Sequence, residues 1–126
     1  MNDSAWRRGR RACCRWSTLA GLIALQPACT VASDCDAFAA YGLIVSVRQA
    51  DGTKVCDATV TAHDGAYSEK LFFQQPQCTY TGATERAGTY DLDVMAGSRS
   101  KHVAGIVVDA DECHVRGEQV LVTLDP

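Results

Sequence analysis

Thr89-Tyr90-Asp91-Leu92-Asp93-Val94 alternates apolar and polar residues at every step. Side chains along a β-strand point to opposite faces in turn, so this stretch places Tyr90, Leu92 and Val94 against a core and Asp91 and Asp93 in water. The same period of two recurs on either side. Tyr41 to Arg48 (YGLIVSVR) is rich in β-branched residues and runs into Asp51-Gly52, a turn dipeptide. Val55 to Ala62 follows, with Ala58, Val60 and Ala62 alternating against Asp57, Thr59 and Thr61. Two such runs across a turn predict a hairpin with one buried and one wet face. His63-Asp64-Gly65 marks another turn. Ala66 to Phe73 reads as a strand, Gln74 to Gln77 as a break, and Cys78 to Gly82 as a short edge strand. His102 to Val108 and Gln119 to Leu124 read as further strands, with the acidic loop Asp109 to Glu112 between them.

No window carries a sustained apolar repeat of helical period. Six or seven short strands joined by turns predict an all-β fold, an antiparallel two-sheet sandwich of about seven strands over residues 41–126. Val45, Val60, Tyr90, Leu92, Val94 and Val122 are its expected core.

The rest of the chain is an address. Of 126 residues, the first 28 hold five Arg against one Asp, and an apolar stretch from Trp16 to Leu25 follows the basic cluster Arg7 to Arg15. That order reads as an export signal over residues 1–28, too short and too polar for a membrane span. Gln26-Pro27-Ala28-Cys29 then resembles a bacterial lipoprotein signal, in which the cysteine is acylated and becomes the mature N-terminus; Gln26 and Pro27 depart from its usual pattern. The competing site is Val31-Ala32-Ser33, with cleavage before Asp34. Lipidation at Cys29 is the favoured expectation, and residues 29–40 are then a tether. The chain is thereby expected at the bacterial envelope as a membrane-anchored lipoprotein, or otherwise secreted or periplasmic.

Cysteine use agrees with export. Cys13 and Cys14 fall in the leader, and Cys35, Cys56, Cys78 and Cys113 remain for the domain. Four widely spaced cysteines in an exported domain read as two disulfides, with three connectivities open. Zinc would need close pairs such as Cys-x-x-Cys. Each bridge is expected to stabilise a small core by roughly 3 to 4 kcal/mol in the chain-entropy picture.

Residues 29–126 carry seven Lys and Arg against fourteen Asp and Glu. A net −7 repels a phosphate backbone, so nucleic acid is not an expected partner. His114 with Asp109, Asp111 and Glu112 could offer oxygen and nitrogen ligands to calcium, but the fixed spacing and Gly of a calcium loop are missing, and a solvated acidic loop is the better reading. Cys113-His114 would make an activated thiolate only if Cys113 were free, and a disulfide is expected instead. Most aromatic residues are needed for the core; adjacent Phe72 and Phe73 must point to opposite faces, so one of them is expected to be exposed as part of a binding patch.

Gly42-Leu-Ile-Val-Ser-Val47, Asp51-Gly52, Val55-Cys-Asp-Ala-Thr-Val60 and Ala87-Gly-Thr-Tyr-Asp-Leu-Asp-Val94, taken in that order, resemble carboxypeptidase regulatory-like domains of the transthyretin-like (prealbumin-like) sandwich. The resemblance covers residues 41–126, with Lys54 standing where the family often has Pro and an added set of cysteines. It implies an accessory or interaction module and by itself no catalytic residues; no cofactor is expected, and the partner, an envelope protein or glycan, is not named by the fold. Three chemically active relatives of the sandwich can be compared. Hydrolases that open hydroxyisourate end in Tyr-Arg-Gly-Ser, but this chain ends Val-Thr-Leu-Asp-Pro126. Pilin-type isopeptides need an Asn, and only Asn2 is present. Intradiol dioxygenases need a His-x-His pair, which His63, His102 and His114 do not form. A small hydrolase and a structural lipoprotein without a ligand remain the alternatives. The resemblance also implies that the first and last strands run antiparallel, which would pair Cys56 with Cys113 and leave Cys35 for Cys78.

Overall fold

A computed structural model describes residues 34–126. The leader over residues 1–28, Cys29 and the Val31–Ser33 cleavage site lie outside the described residues. The described chain is all-β, with strands β1 (Tyr41–Gln49), β2 (Thr59–Asp64), β3 (Tyr67–Lys70), β4 (Phe72–Gln74), β5 (Thr79–Thr84), β6 (Gly88–Ala96), β7 (Arg99–Val108) and β8 (Glu118–Leu124). Two four-stranded sheets form, in the orders β4-β5-β1-β8 and β3-β2-β6-β7. Their inner faces supply the core. Leu43, Val45 and Val47 of β1 and Val122 and Leu124 of β8 meet Val60 and Ala62 of β2 and Tyr90, Leu92 and Val94 of β6. All six expected core residues are buried.

Five expectations need correction, and those on strand pairing change the topology. Residues 41–62 do not form a hairpin. The Asp51-Gly52 turn is present, with Gly52 at φ 88°, a left-handed value that a side chain would strain, but it closes only the single bridge Arg48↔Lys54. β1 is already paired on both sides, by β5 and by β8, so no edge is left for a second arm. The chain therefore crosses to the other sheet. Val55, buried and hydrogen-bonded to the Val47 carbonyl, marks the crossing. The Tyr80 hydroxyl secures it by accepting from Ala58 N–H at 2.9 Å and donating to the Val55 carbonyl at 3.1 Å.

The stretch Ala66 to Phe73 is likewise two strands in different sheets, divided at buried Leu71. β5, expected at an edge, is an interior strand between β4 and β1. Its small residues suit that place, since a Cβ on Gly82 would collide with Leu71 Cδ2. The first and last strands run parallel.

That parallel pairing redirects the disulfides. The start of β8 lies beside the start of β1, so Cys113, ahead of β8, meets Cys35, ahead of β1, with Cα atoms 5.3 Å apart. β5 runs antiparallel to β1, so its beginning lies beside the far end of β1, where Cys78 reaches Cys56 at 5.0 Å. The bridges are Cys35–Cys113 and Cys56–Cys78, in place of the pairing drawn from an antiparallel first and last strand.

Candidate functional site

Two regions concentrate polar chemistry. The first is a clasp that holds the stem, residues 34–40, to the sandwich. Glu85 follows β5 in a left-handed conformation (φ 51°), a cost for a residue with a side chain, and its carboxylate is correspondingly well occupied. Glu85 Oε1 accepts from Ala40 N–H at 2.6 Å and stands 2.7 Å from His114 Nδ1, while Oε2 accepts from Val115 N–H at 3.3 Å. The other imidazole nitrogen, His114 Nε2, is 2.9 Å from Asp36 Oδ1. Nε2 is buried and this ion pair with Asp36 is its contact. Beside it lies the Cys35–Cys113 bridge, and together these residues with Phe38 line an open cavity of about 460 Å³.

An imidazole between two carboxylates favours its cationic form. The hydrogen bond with Glu85 raises the pKa of His114, with the nearby charges of Glu85 and Asp36 acting in the same direction. Glu85 is lowered, first by the Ala40 N–H and then by His114. The acidic loop is not a loose cluster, because Asp111 Oδ1 accepts from both Cys113 N–H and His114 N–H at 2.9 Å. It serves to aim His114 at Glu85. Among the described residues no group of three or more His, Cys, Asp and Glu is arranged to hold a metal ion. Cys113 is disulfide-bonded and carries no thiolate.

A second carboxylate–imidazole set lies on the outer face of the second sheet. Asp93 of β6 contacts His102 of β7 at 2.8 Å and His63 of β2 at 3.1 Å, and the hydrogen bond that Asp93 accepts raises His102 while His102 lowers Asp93. The signs combine simply. Stabilisation by His114 and His102 is complete below the ordinary imidazole value of 6.5 and is lost as pH climbs through their raised values. Stabilisation by Glu85 and Asp93 is present above their ordinary values and is lost as pH falls through the lowered ones. Both halves hold in mildly acidic solution. Thermal unfolding followed from about pH 6 to about pH 8 should therefore give a falling midpoint, and replacing His102 and His114 together by Asn should flatten that fall.

The other region is the outer face of the first sheet. Ile44, Ser46 and Arg48 of β1 stand there beside Thr79 and Thr81 of β5, Phe72 and Gln74 of β4, and Gln119, Leu121 and Thr123 of β8. A groove of about 410 Å³ runs between Ile44, Arg48, Thr79, Val120 and Leu121. Phe72 is 67% exposed on this face, and Phe73, on the opposite face of β4 against Tyr80 with ring centroids 5.3 Å apart, is itself 38% exposed. The two rings divide between the faces as expected, but both are exposed, Phe72 the more. What the sequence did not disclose is that the outward-facing residues of these four strands include no carboxylate, their one cation being Arg48 with Lys54 bridged beside it, while Asp91 and Asp93 lie on the opposite sheet. Only strand order brings Phe72, Ile44 and Leu121 onto one surface.

No protein-family model matches the chain, and a search of curated proteins finds no match. The two disulfides place the domain with proteins of oxidising, extracytoplasmic compartments.

Proposed function

We propose that the chain is an exported, lipid-anchored β-sandwich acting at the bacterial envelope as a binding module rather than as a catalyst, with Cys29 as the acylated residue. One observation carries the reading: in a domain with twice as many acids as bases, the outer face of the first sheet is free of carboxylates and presents hydroxyl, amide and apolar groups around Arg48. A surface cleared of the prevailing charge suits a partner that charge would repel or misorient. Such a partner is an envelope protein or glycan without net positive charge. The stem supports the anchoring. Cys35 stands shortly after Cys29 and is covalently joined to Cys113, so a pull from a lipid would pass directly into the body of the sandwich. We read the domain as a carboxypeptidase regulatory-like module of transthyretin-like type.

Two experiments on intact cells test this. Cys29→Ser should move the protein from the membrane to the soluble fraction. A photo-cross-linking residue at Phe72 should give a discrete adduct heavier than two copies of the chain, and one at Thr89, exposed on the other sheet, should not. Membrane retention of Cys29→Ser, or equal adducts from both positions, would contradict the proposal.

A further inference from the structure

The two sheets have four edges: β4 and β8 on the first, β3 and β7 on the second. An unpaired edge is a template for another strand, and folded proteins blunt such edges by shortness, charge or bulges. Three edges here are blunted. β4 has three residues, and β3 has four and ends in Glu69-Lys70. β7 carries Arg99, Lys101 and a bulge, where Gly105 at φ 75° donates its N–H to Asp91 Oδ1 at 2.9 Å. β8 has none of these devices. It is seven residues long, its one charge is Glu118 at the start, it holds no Gly or Pro, and Leu121 at its centre is 62% exposed.

The sequence of this edge is also self-complementary. Gln119-Val120-Leu121-Val122-Thr123 reads polar-Val-Leu-Val-polar in both directions. A two-fold interface demands that property, because each residue i that meets j must also be met as j by i. We propose that β8 pairs antiparallel with β8 of a second copy about a two-fold axis at Leu121, joining the first sheets of both into one continuous eight-stranded sheet.

In that pairing Gln119 falls opposite Thr123, Val120 opposite Val122, and Leu121 opposite its own counterpart, where cross-strand contacts are closest. No charge opposes another across the seam: in this register Glu118 falls opposite Leu124, and Asp125 within its own chain is held 2.8 Å from Lys101 Nζ. Parallel pairing would instead set Glu118 against Glu118. The net −7 of each body opposes association, and a single strand pair buries little area, so the dimer belongs to the weak, concentration-dependent class. It depends on the sheet edge and not on what the sheet face binds, so either proposal can fail alone.

Light scattering of the exported chain, purified with both disulfides intact, over a concentration series tests the pairing. A monomer–dimer equilibrium is expected, and Leu121→Asp should weaken it by about tenfold or more while leaving the melting temperature unchanged. Thr89→Asp should leave it untouched. If Leu121→Asp lowers the melting temperature, Gln119→Lys with Thr123→Lys, which sets like charges opposite one another, must weaken the dimer in the same way. A monomer at every concentration, or a dimer indifferent to these changes, would overturn the proposal.

Discussion

Replacing Cys35 and Cys113 by Ser should destabilise the domain by roughly 4 to 5 kcal/mol, more than the roughly 3 kcal/mol expected for replacing Cys56 and Cys78. The difference follows from loop length. The first bridge spans 78 positions and the second 22, and the entropy withheld from the unfolded chain grows with the logarithm of the loop. The two losses should also differ in kind. Without Cys35–Cys113 the stem keeps only the Glu85 and His114 contacts, so amide exchange at Ala40 should accelerate before the sandwich opens. Without Cys56–Cys78 the crossing from β1 to β2 relies on the Tyr80 hydroxyl. Chemical denaturation of the two double variants measures the order. Equal losses, or a Cys56–Cys113 peptide in a non-reducing digest, would contradict the parallel pairing of β1 and β8.

Tyr90→Ala should cost about 3 to 5 kcal/mol, as large aromatic truncations in cores do. Tyr90 is fully buried, and its hydroxyl accepts from Arg86 Nη1 at 2.7 Å and donates to the Arg86 carbonyl at 2.9 Å. The same guanidinium reaches Asp64 Oδ2 at 2.7 Å and lies 4.0 Å above the Tyr67 ring. Burial, with Glu69 accepting the Tyr67 hydroxyl at 2.7 Å, pushes Tyr67 up to about 12. Tyr90→Phe keeps the ring and removes only the hydroxyl, so about 1 to 3 kcal/mol is expected from the carbonyl and guanidinium left without it. The comparison separates packing from hydrogen bonding. If the two variants lose the same amount, the ring contributes nothing beyond its hydroxyl, and β6 does not anchor the core as described.

The strands were legible in the sequence where one face is wet. Tyr90-Asp91-Leu92-Asp93-Val94 and Val60-Thr61-Ala62 alternate because β6 and β2 expose one side, and their buried residues follow from period two alone. Strand order was not legible. A turn at Asp51-Gly52 is consistent with a hairpin or with a crossing, and what excludes the hairpin is the occupation of both edges of β1 by β5 and β8, a fact of distant sequence. The disulfide pairs depend on that order, so an antiparallel first and last strand implies a different pairing from Cys35–Cys113 and Cys56–Cys78. At the clasp, the sequence shows His114 beside the acidic Asp109, Asp111 and Glu112. Their actual partners, Glu85 and Asp36, sit 29 and 78 positions away from His114 by sequence number, beyond the reach of any local pattern. The carboxylate-free face had no signal in any one strand, since it is assembled from every second residue of four.

Intact-mass analysis of the protein extracted from membranes tests the central proposal most directly. The account predicts a mature chain beginning at Cys29, carrying a lipid on that cysteine, with its four remaining cysteines oxidised as two disulfides. A mature chain beginning at Asp34 with no lipid would contradict it.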